Sequence, residues 1–390
     1  MNAAPNQRLL SLDAFRGFIM LLMASSAFGV ADMAVLHKGT FWEFIKPQFE
    51  HRAWQGCSLW DLIQPSFMFM VGIAVPYSCM KRREAGQTML GMTLHAFTRA
   101  ILLILLAVVL STGGKASMTN WTFANVLAQI GFGYVFLFII SRLGWEYMIA
   151  GIIAILVGYT AFFVLFPLPN AEQLASIQGM KGTEGAILDG FFGHWSIHLN
   201  AAANFDRWFL NLLPQAEPFV YNQGGYQTLN FVPALATMLG GAMTGHFLMN
   251  SIHSDKMKCV RLIIAGVLLL FIGTILGLFA MPIVKRIWTP SWAIFSGGWV
   301  LLMLAAFYWL VEIAGQRRIV FPLVVVGMNS ITIYILHNAC GGWFKDNLHK
   351  HLPASAFPVE YAPLLERCYV LLALWLICFW LYRQKAFLKL

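Results

Sequence analysis

Charge is what this sequence has least of. Asp, Glu, Lys and Arg make up only 11% of its 390 residues, against 59% hydrophobic residues. A water-soluble domain carries roughly 25% charged residues, so the shortfall excludes a chain whose whole surface faces water. Cysteine is also sparse. The six, at positions 57, 79, 259, 340, 368 and 378, include no CxxC pair, which speaks against a zinc module or a disulfide framework. Cys57 and Cys340 are the one pair expected on a common side. Short-period repeats, low-complexity tracts and a separate polar domain are absent, so residues 1–390 are read as one domain. The apolar runs lack period-2 alternation, which argues against a membrane β-barrel and leaves helices as the spanning element. No small-residue cleavage site follows the first apolar run, which is therefore read as a retained helix behind the polar Met1–Gln7.

Apolar runs are what the sequence has in abundance. They fall at about 12–33, 59–80, 93–112, 123–141, 147–168, 229–250, 260–283, 291–314, 319–337 and 361–382. Each approaches the roughly 20 residues that a spanning helix needs. The expected fold is thus an all-α polytopic bundle of about ten transmembrane helices. The formal net charge is +9. Basic residues are densest in the short connections, among them Lys81, Arg82, Arg83, Arg142, Lys256, Lys258 and Arg261. By the positive-inside rule those connections are cytoplasmic, which places both termini inside. Three long segments, about 34–58, 169–228 and 338–360, then face outward. Within the second, Ile197–Leu213 reads as amphipathic helix lying at the membrane surface.

Polar residues in apolar runs need a reason. In the first run Asp13 and Arg16 stand at i and i+3, on one helical face. They form a mutually neutralising pair or a cationic group awaiting an anion. The second run opens with Ser58, Asp61, Gln64 and Pro65 on one face, a structural hydrogen-bonding node or a functional carboxylate. In the ninth, Ser330, Tyr334 and His337 form a stripe beside Asn329, either interhelical glue or part of a site. His51 precedes the second run in Glu50-His51-Arg52-Ala53-Trp54, where Glu50 and Asp61 are placed to orient a catalytic imidazole; a lone loop histidine is otherwise merely solvated. His194 and His198 have i, i+4 spacing but no evident third ligand, so no metal site is assigned.

Taken in order, these motifs resemble the heparan-alpha-glucosaminide N-acetyltransferase family of transmembrane acyltransferases and its bacterial relatives. The resemblance runs from Leu9 to about His337. It is carried by Arg8-Leu9-Leu10-Ser11-Leu12-Asp13-Ala14-Phe15-Arg16-Gly17 and by His51-x-x-Trp54-x-Gly56 with Asp61-Leu62 and Pro65-x-Phe67-x-Phe69-x-x-Gly72. Val126–Ile130, Asp206-Arg207, Tyr221 with Gly224 and Gly225, and Trp288-Thr289-Pro290-Ser291-Trp292 follow. Gly327-Met328-Asn329-Ser330 with Tyr334 and His337 completes the set. This sequence departs from the family pattern at Ala27, where an asparagine is expected, and at Gln129, where an arginine is. Val30–Phe49 replaces a glycine-rich stretch, and Tyr221-Asn222-Gln223-Gly224-Gly225 is a reduced form of a longer motif.

The resemblance implies a donor, acetyl-CoA or another acyl-CoA, entering from the cytoplasm, and a sugar or glycan acceptor on the other side. His51 acts as general base or transient acyl carrier, with Asp61 orienting it. Ser25, Ser26 or Asn329 donates to the thioester oxyanion, and His337 is a second candidate base. Arg16, Asp13 and Gln129 are assigned to the donor. Trp54, Tyr221 and Trp288, with Asp206 and Arg207, are assigned to the acceptor. The expected setting is a bacterial inner membrane, with a homodimer as a family precedent and no nucleic-acid partner. The departures leave the acceptor's identity open. A transporter of sugar or lipid-linked glycan, or a non-catalytic relative, are the rival readings.

Overall fold

The computed structural model describes residues 9–113, 118–180, 182–351 and 357–388. Arg8 and the polar start of the chain lie outside them. Among the described residues there are helices and connections but no strands; one isolated antiparallel bridge joins Gln55 to Val284.

The helices follow the apolar runs. In chain order they are α1 (Leu10–Ala24), α2 (Val30–Leu36), α3 (Phe41–Ile45), α4 (Ile63–Glu84), α5 (Met89–Thr112), α6 (Val126–Ile140), α7 (Trp145–Val164), α8 (Ala171–Ile177) and α9 (Ala201–Leu210). Then come α10 (Phe231–Met249), α11 (Asp255–Phe279), α12 (Pro290–Tyr308), α13 (Phe321–Gly327), α14 (Ser330–His351) and α15 (Ala362–Arg383). Short polar side chains start many of them. Thr88, Asn125, Asn200, Ser254 and Thr289 each accept a backbone N–H of the first turn, which satisfies one of the donors that a helix start leaves open.

Among the described residues seven helices are long and apolar enough to cross a membrane, and the count rises to nine when each of two bent pairs is one span. All ten expected runs are helical, but they do not yield ten full spans by length. The run at 123–141 forms α6, whose 15 residues reach about 22 Å at 1.5 Å per residue, short of a hydrocarbon core of about 30 Å. The first run is broken: α1 and α2 meet at 46° through Ser26, Ala27, Phe28 and Gly29, all with φ between 48° and 67°. Left-handed backbone costs a non-glycine residue roughly 1–2 kcal/mol, so three in succession persist only because the surrounding packing holds them. The ninth run bends by 78° between α13 and α14. Here the expected loop at 338–360 is corrected, because α14 continues as helix to His351. Lys345 and His349 on α14 reach Glu366 of α15 at 3.0 and 3.1 Å, which ties the extension down.

α4 and α10 form the centre. A methyl group on Gly72 of α4 would strike the Met238 carbonyl oxygen of α10, and one on Gly241 of α10 would strike the Phe69 carbonyl oxygen of α4. Glycine at both positions lets the two backbones touch, as in other closely packed membrane helices. α5, α7, α11 and α15 turn Leu105, Val157, Phe271 and Leu372 outward, each more than half exposed, the pattern of a lipid-facing layer.

Above one end of the bundle the 169–228 segment packs as a second apolar core. Trp54, Tyr159, Phe163, Trp195, Ile197, Val284 and Ile287 meet there. The helix expected within Ile197–Leu213 appears as α9. The segment carrying His51 therefore rests on packed side chains and not on open loop.

Candidate active site

His51 lies in the connection leading to α4, and its local fold follows from the residues around it. Ser58 Oγ lies 2.7 Å from the Glu50 carbonyl oxygen and 2.9 Å from Asp61 Oδ2, closing the 50–61 loop on itself. Gly56, at φ 103°, donates its N–H to the Ile283 carbonyl at 2.9 Å. That bond and the Gln55–Val284 bridge clamp the loop to the 280–289 connection. Thr289 braces that connection in turn: its hydroxyl donates to the Pro282 carbonyl at 2.9 Å and accepts the Val284 N–H at 3.0 Å.

The clamp brings together three groups. His51 Nδ1 lies 2.8 Å from Asp61 Oδ1. Lys285 Nζ lies 3.2 Å from the same oxygen and 3.0 Å from His51 Nδ1. Asp61 Oδ2 accepts the backbone N–H groups of Arg52 and Ser58, each at 3.2 Å, besides facing the Ser58 hydroxyl. Both carboxylate oxygens are thus surrounded by donors, the environment of an acceptor-only, ionised group. The side chains of Asp61 and Lys285 are 1% and 6% exposed, while that of His51 is 41% exposed, so the ring's Nδ1 edge is held in the protein and the rest is open.

The electrostatics follow from this geometry. His51 is held below the ordinary histidine value. Burial is the main cause, and Lys285 and Arg286 add to it against the pull of the Asp61 hydrogen bond. Burial likewise pushes the Lys285 ammonium down to about 8, partly countered by Asp61. Near neutral pH the site holds a carboxylate, an ammonium and a neutral imidazole. Of the two neutral tautomers, the one protonated at Nδ1 donates to Asp61 over the shorter, 2.8 Å contact and leaves Nε2 with a lone pair, whereas the one protonated at Nε2 accepts from the Lys285 ammonium at Nδ1 over 3.0 Å.

His51 borders two spaces. One is a cavity of about 560 Å³ inside the bundle, lined by Met20, Met23 and Ser26 of the first span and Ile63, Gln64 and Phe67 of α4. Asn125, Asn222, Tyr226 and Lys285 line it further, with Tyr334, His337 and Asn338 of α14. That size suits a small-molecule site, commonly about 300–1,000 Å³. The other is a polar cleft of about 510 Å³, lined by Lys38, Glu43, Lys46, Glu50 and Arg52. His51 is the one residue common to both linings. The cleft is built largely from 34–47, inside the segment that departs from the family pattern.

The other sequence candidates divide. Ser26 and His337 line the cavity; His337 Nδ1 is buried there with no hydrogen-bond partner. Ser25 is buried and spends its hydroxyl on the Leu22 carbonyl at 2.6 Å. Asn329 sits at the α13–α14 bend, 1% exposed, with both amide atoms unpartnered, and does not line the cavity. Gln129 accepts from Gln64 Nε2 at 2.9 Å. It stands in the second turn of α6, at the His51 end of the bundle. Asp13 and Arg16 are at the opposite end, 3.8 Å apart. They share the stripe of α1 that continues to Met20 and Met23 at the cavity, by the spacing of a helix face.

Trp54 and Trp288, expected to meet an acceptor, are buried. The Trp54 indole N–H bonds the Trp195 carbonyl at 3.0 Å, and that of Trp288 bonds the Thr237 hydroxyl at 3.2 Å. They hold the second core and the α10–α12 contact, because an indole buried with its N–H satisfied gains most from packing. Tyr221 lies against His198 with ring centroids 4.4 Å apart and the rings tilted by 37°. His194 and His198 do not share an α-helix, which removes the geometry of a paired metal ligand; among the described residues no group of three or more metal-ligating side chains forms. Arg207 donates to the His198 carbonyl at 3.0 Å, and Asp206 accepts the Thr228 N–H at 2.9 Å; both hold the 169–228 segment together. All six cysteines are free, Cys57 and Cys340 included.

Lys285 is the residue that sequence reading missed. It stands 234 positions from His51, and a Lys-Arg pair between two spans looks like an ordinary loop charge. Its one signal is the Ile283-Val284 pair before it and Ile287-Trp288 after it, which predict a buried connection.

Comparison with known proteins bears on the same residues. The family described as "Heparan-alpha-glucosaminide N-acetyltransferase, catalytic" matches residues 8–183, which include His51 and Asp61. Heparan-alpha-glucosaminide N-acetyltransferase of Homo sapiens is 23% identical over 98% of this chain, and that of Mus musculus 22% identical over 98%. The chain spans 60% of the length of each. The matched segment contains the His51–Asp61 pair and the two relatives align along nearly the whole chain, so the family that this chain is similar to is heparan-alpha-glucosaminide N-acetyltransferase.

Proposed function

We propose that this protein is a transmembrane acyltransferase that moves an acyl group, most simply acetyl, from cytosolic acyl-CoA to a sugar or glycan acceptor across the membrane. One observation carries the reading. His51, with Nδ1 fixed by a buried carboxylate, is the single residue lining both a cavity within the bundle and a polar cleft outside it. A donor thioester in the cavity and an acceptor in the cleft would meet at Nε2.

The donor would enter at the Arg16 end. A guanidinium suits a CoA phosphate, and the α1 stripe from Arg16 to Met23 rises about 10 Å toward the cavity. At the other end Nε2 takes the proton of the acceptor amine or hydroxyl as its N or O attacks the thioester carbonyl. Ser26 and His337, two of the polar groups that line the cavity, would donate to the oxyanion. The C–S bond breaks, and the proton on Nε2 passes to the CoA thiolate. In the two-step version Nε2 itself attacks and carries the acyl group before the acceptor arrives. With both ends cytoplasmic and α6 counted as a short tenth crossing, His51 faces the extracytoplasmic side. The basic helix ends, such as Lys81, Arg82 and Arg83 of α4, support that orientation. The bacterial inner membrane is the proposed location.

The test is reconstitution. Protein in sealed liposomes with acetyl-CoA on the side of the basic helix ends and a panel of amino sugars and cell-envelope glycans on the other should yield free CoA thiol and an acceptor of acetyl-shifted mass. Acceptor flux without thioester cleavage would establish transport instead.

A further inference from the structure

Lys285 has a place in the site but no role yet. We infer that Lys285 is a positioning residue for His51: its ammonium opposes a second proton on the imidazole, so that Nε2 stays free to take the acceptor's proton and gives it up at once to the leaving thiolate. The inference rests on His51 being the proton-accepting group of the proposed function.

The geometry supplies the argument. Lys285 Nζ and His51 Nδ1 lie 3.0 Å apart and converge on one oxygen, Asp61 Oδ1. A lone Asp61 would stabilise an imidazolium and make His51 a retentive base. Placing the ammonium at nearly the same distance from Nδ1 as the carboxylate cancels most of that attraction, because the two opposite charges act over 3.0 and 2.8 Å. Lys285 cannot swing away, because it is buried on a loop clamped by Thr289 and Gly56. Other charged or titratable groups also surround His51. Glu50 and Arg52 are its chain neighbours, Arg286 follows Lys285, Tyr226 and His337 line the cavity, and Lys38, Glu43 and Lys46 line the cleft. The position of His51 below the ordinary histidine value agrees with this balance.

In atoms, the acceptor loses H⁺ to Nε2 while its N or O bonds to the acyl carbon. The doubly protonated ring then lies between Asp61 and an ammonium, and the Nε2 proton moves to the departing sulfur. Nothing is oxidised or reduced, and Lys285 ends as it began.

The experiment reads His51 directly and needs no turnover. Diethyl pyrocarbonate modifies neutral imidazole, and mass spectrometry of the peptide bearing His51 gives its extent of reaction against pH in the full-length detergent-purified protein. The wild-type half-point should lie below that of a free imidazole. In Lys285→Met it should move up by about one pH unit or more, and in Lys285→Arg it should stay low. Should Lys285→Met fail to fold, Lys285→Cys alkylated with 2-bromoethylamine restores the amine on folded protein and should restore the low half-point. Superposable curves for Lys285→Met and wild type, or for Lys285→Cys before and after alkylation, would overturn the inference. A wild-type protein that titrates as described, responds to Lys285→Met and yet transfers no acyl group would leave the hold of Lys285 on the His51 proton standing and remove the acyltransferase reading, and with it the catalytic use of that hold.

Discussion

Replacing Asp61 with asparagine tests the site at its most connected atom. The change keeps size and shape but turns one oxygen into a donor. Whichever way the amide is turned, its NH₂ faces donors: His51 Nδ1 and Lys285 on one side, or the N–H groups of Arg52 and Ser58 on the other. The Lys285 ammonium also loses its counterion while 6% exposed. At 3.2 Å and an effective dielectric of 20 the lost attraction is about 5 kcal/mol before desolvation is counted. Breaking a buried pair by removing one partner costs about 3–5 kcal/mol in net stability. Turnover suffers separately, because the tautomer with a free Nε2 is no longer selected. A loss of about 10²-fold or more is expected, within the about 10²–10⁴ attributable to a general base. Unfolding in detergent and thiol release from acetyl-CoA measure the two effects. Asp61→Asn combined with Lys285→Met removes the stranded charge, so stability should largely return while turnover does not. A single mutant with wild-type stability and rate would refute the reasoning, and so would a double mutant less stable than the Asp61→Asn protein.

Three further outcomes follow from the same geometry. Turnover should rise with pH as His51 loses its proton and level off below pH 6.5, since its folded-state value lies under the ordinary one; a profile rising only above pH 7 would contradict this. Asp206 is buried and pushed up to about 6, so its contribution to stability is present below the ordinary carboxylate value and is lost as pH rises through about 6. Asp206→Asn should remove that slope from pH-dependent unfolding and keep activity. Arg16→Ala should weaken CoA binding about ten- to a hundredfold, the loss of one charge-assisted contact of about 1.5–3 kcal/mol, with unchanged affinity arguing that the Asp13–Arg16 pair serves packing alone.

The helical architecture was legible because apolar runs of spanning length announce themselves without tertiary information. Their breaks were less so. Ser26-Ala27-Phe28 carries no residue that demands a left-handed turn, and Gly29 alone hints at one. The residues after His337 read as loop because Gly341, Gly342 and several charges dilute the apolar signal; the helix there is held by pairing with Glu366, which lies on another element. His51 with Asp61 was visible because ten residues separate them. Lys285 was not, since its place depends on a bridge between Gln55 and Val284 that no local pattern encodes. The aromatic candidates misled for a related reason: a Trp in a loop motif looks like a ligand platform until the second core that buries Trp54 and the main core that buries Trp288 are seen.

The account turns on His51, and one comparison tests it most directly. Wild-type and His51→Ala proteins, purified in parallel, are given labelled acetyl-CoA and the acceptor that the reconstituted panel identifies. The donor's nucleotide end would sit at the opposite end of α1, so both should bind CoA with similar affinity while His51→Ala transfers little or nothing. His51→Ala with full transfer, and His337→Ala without any, would contradict the account and move the chemistry to the second histidine of the cavity.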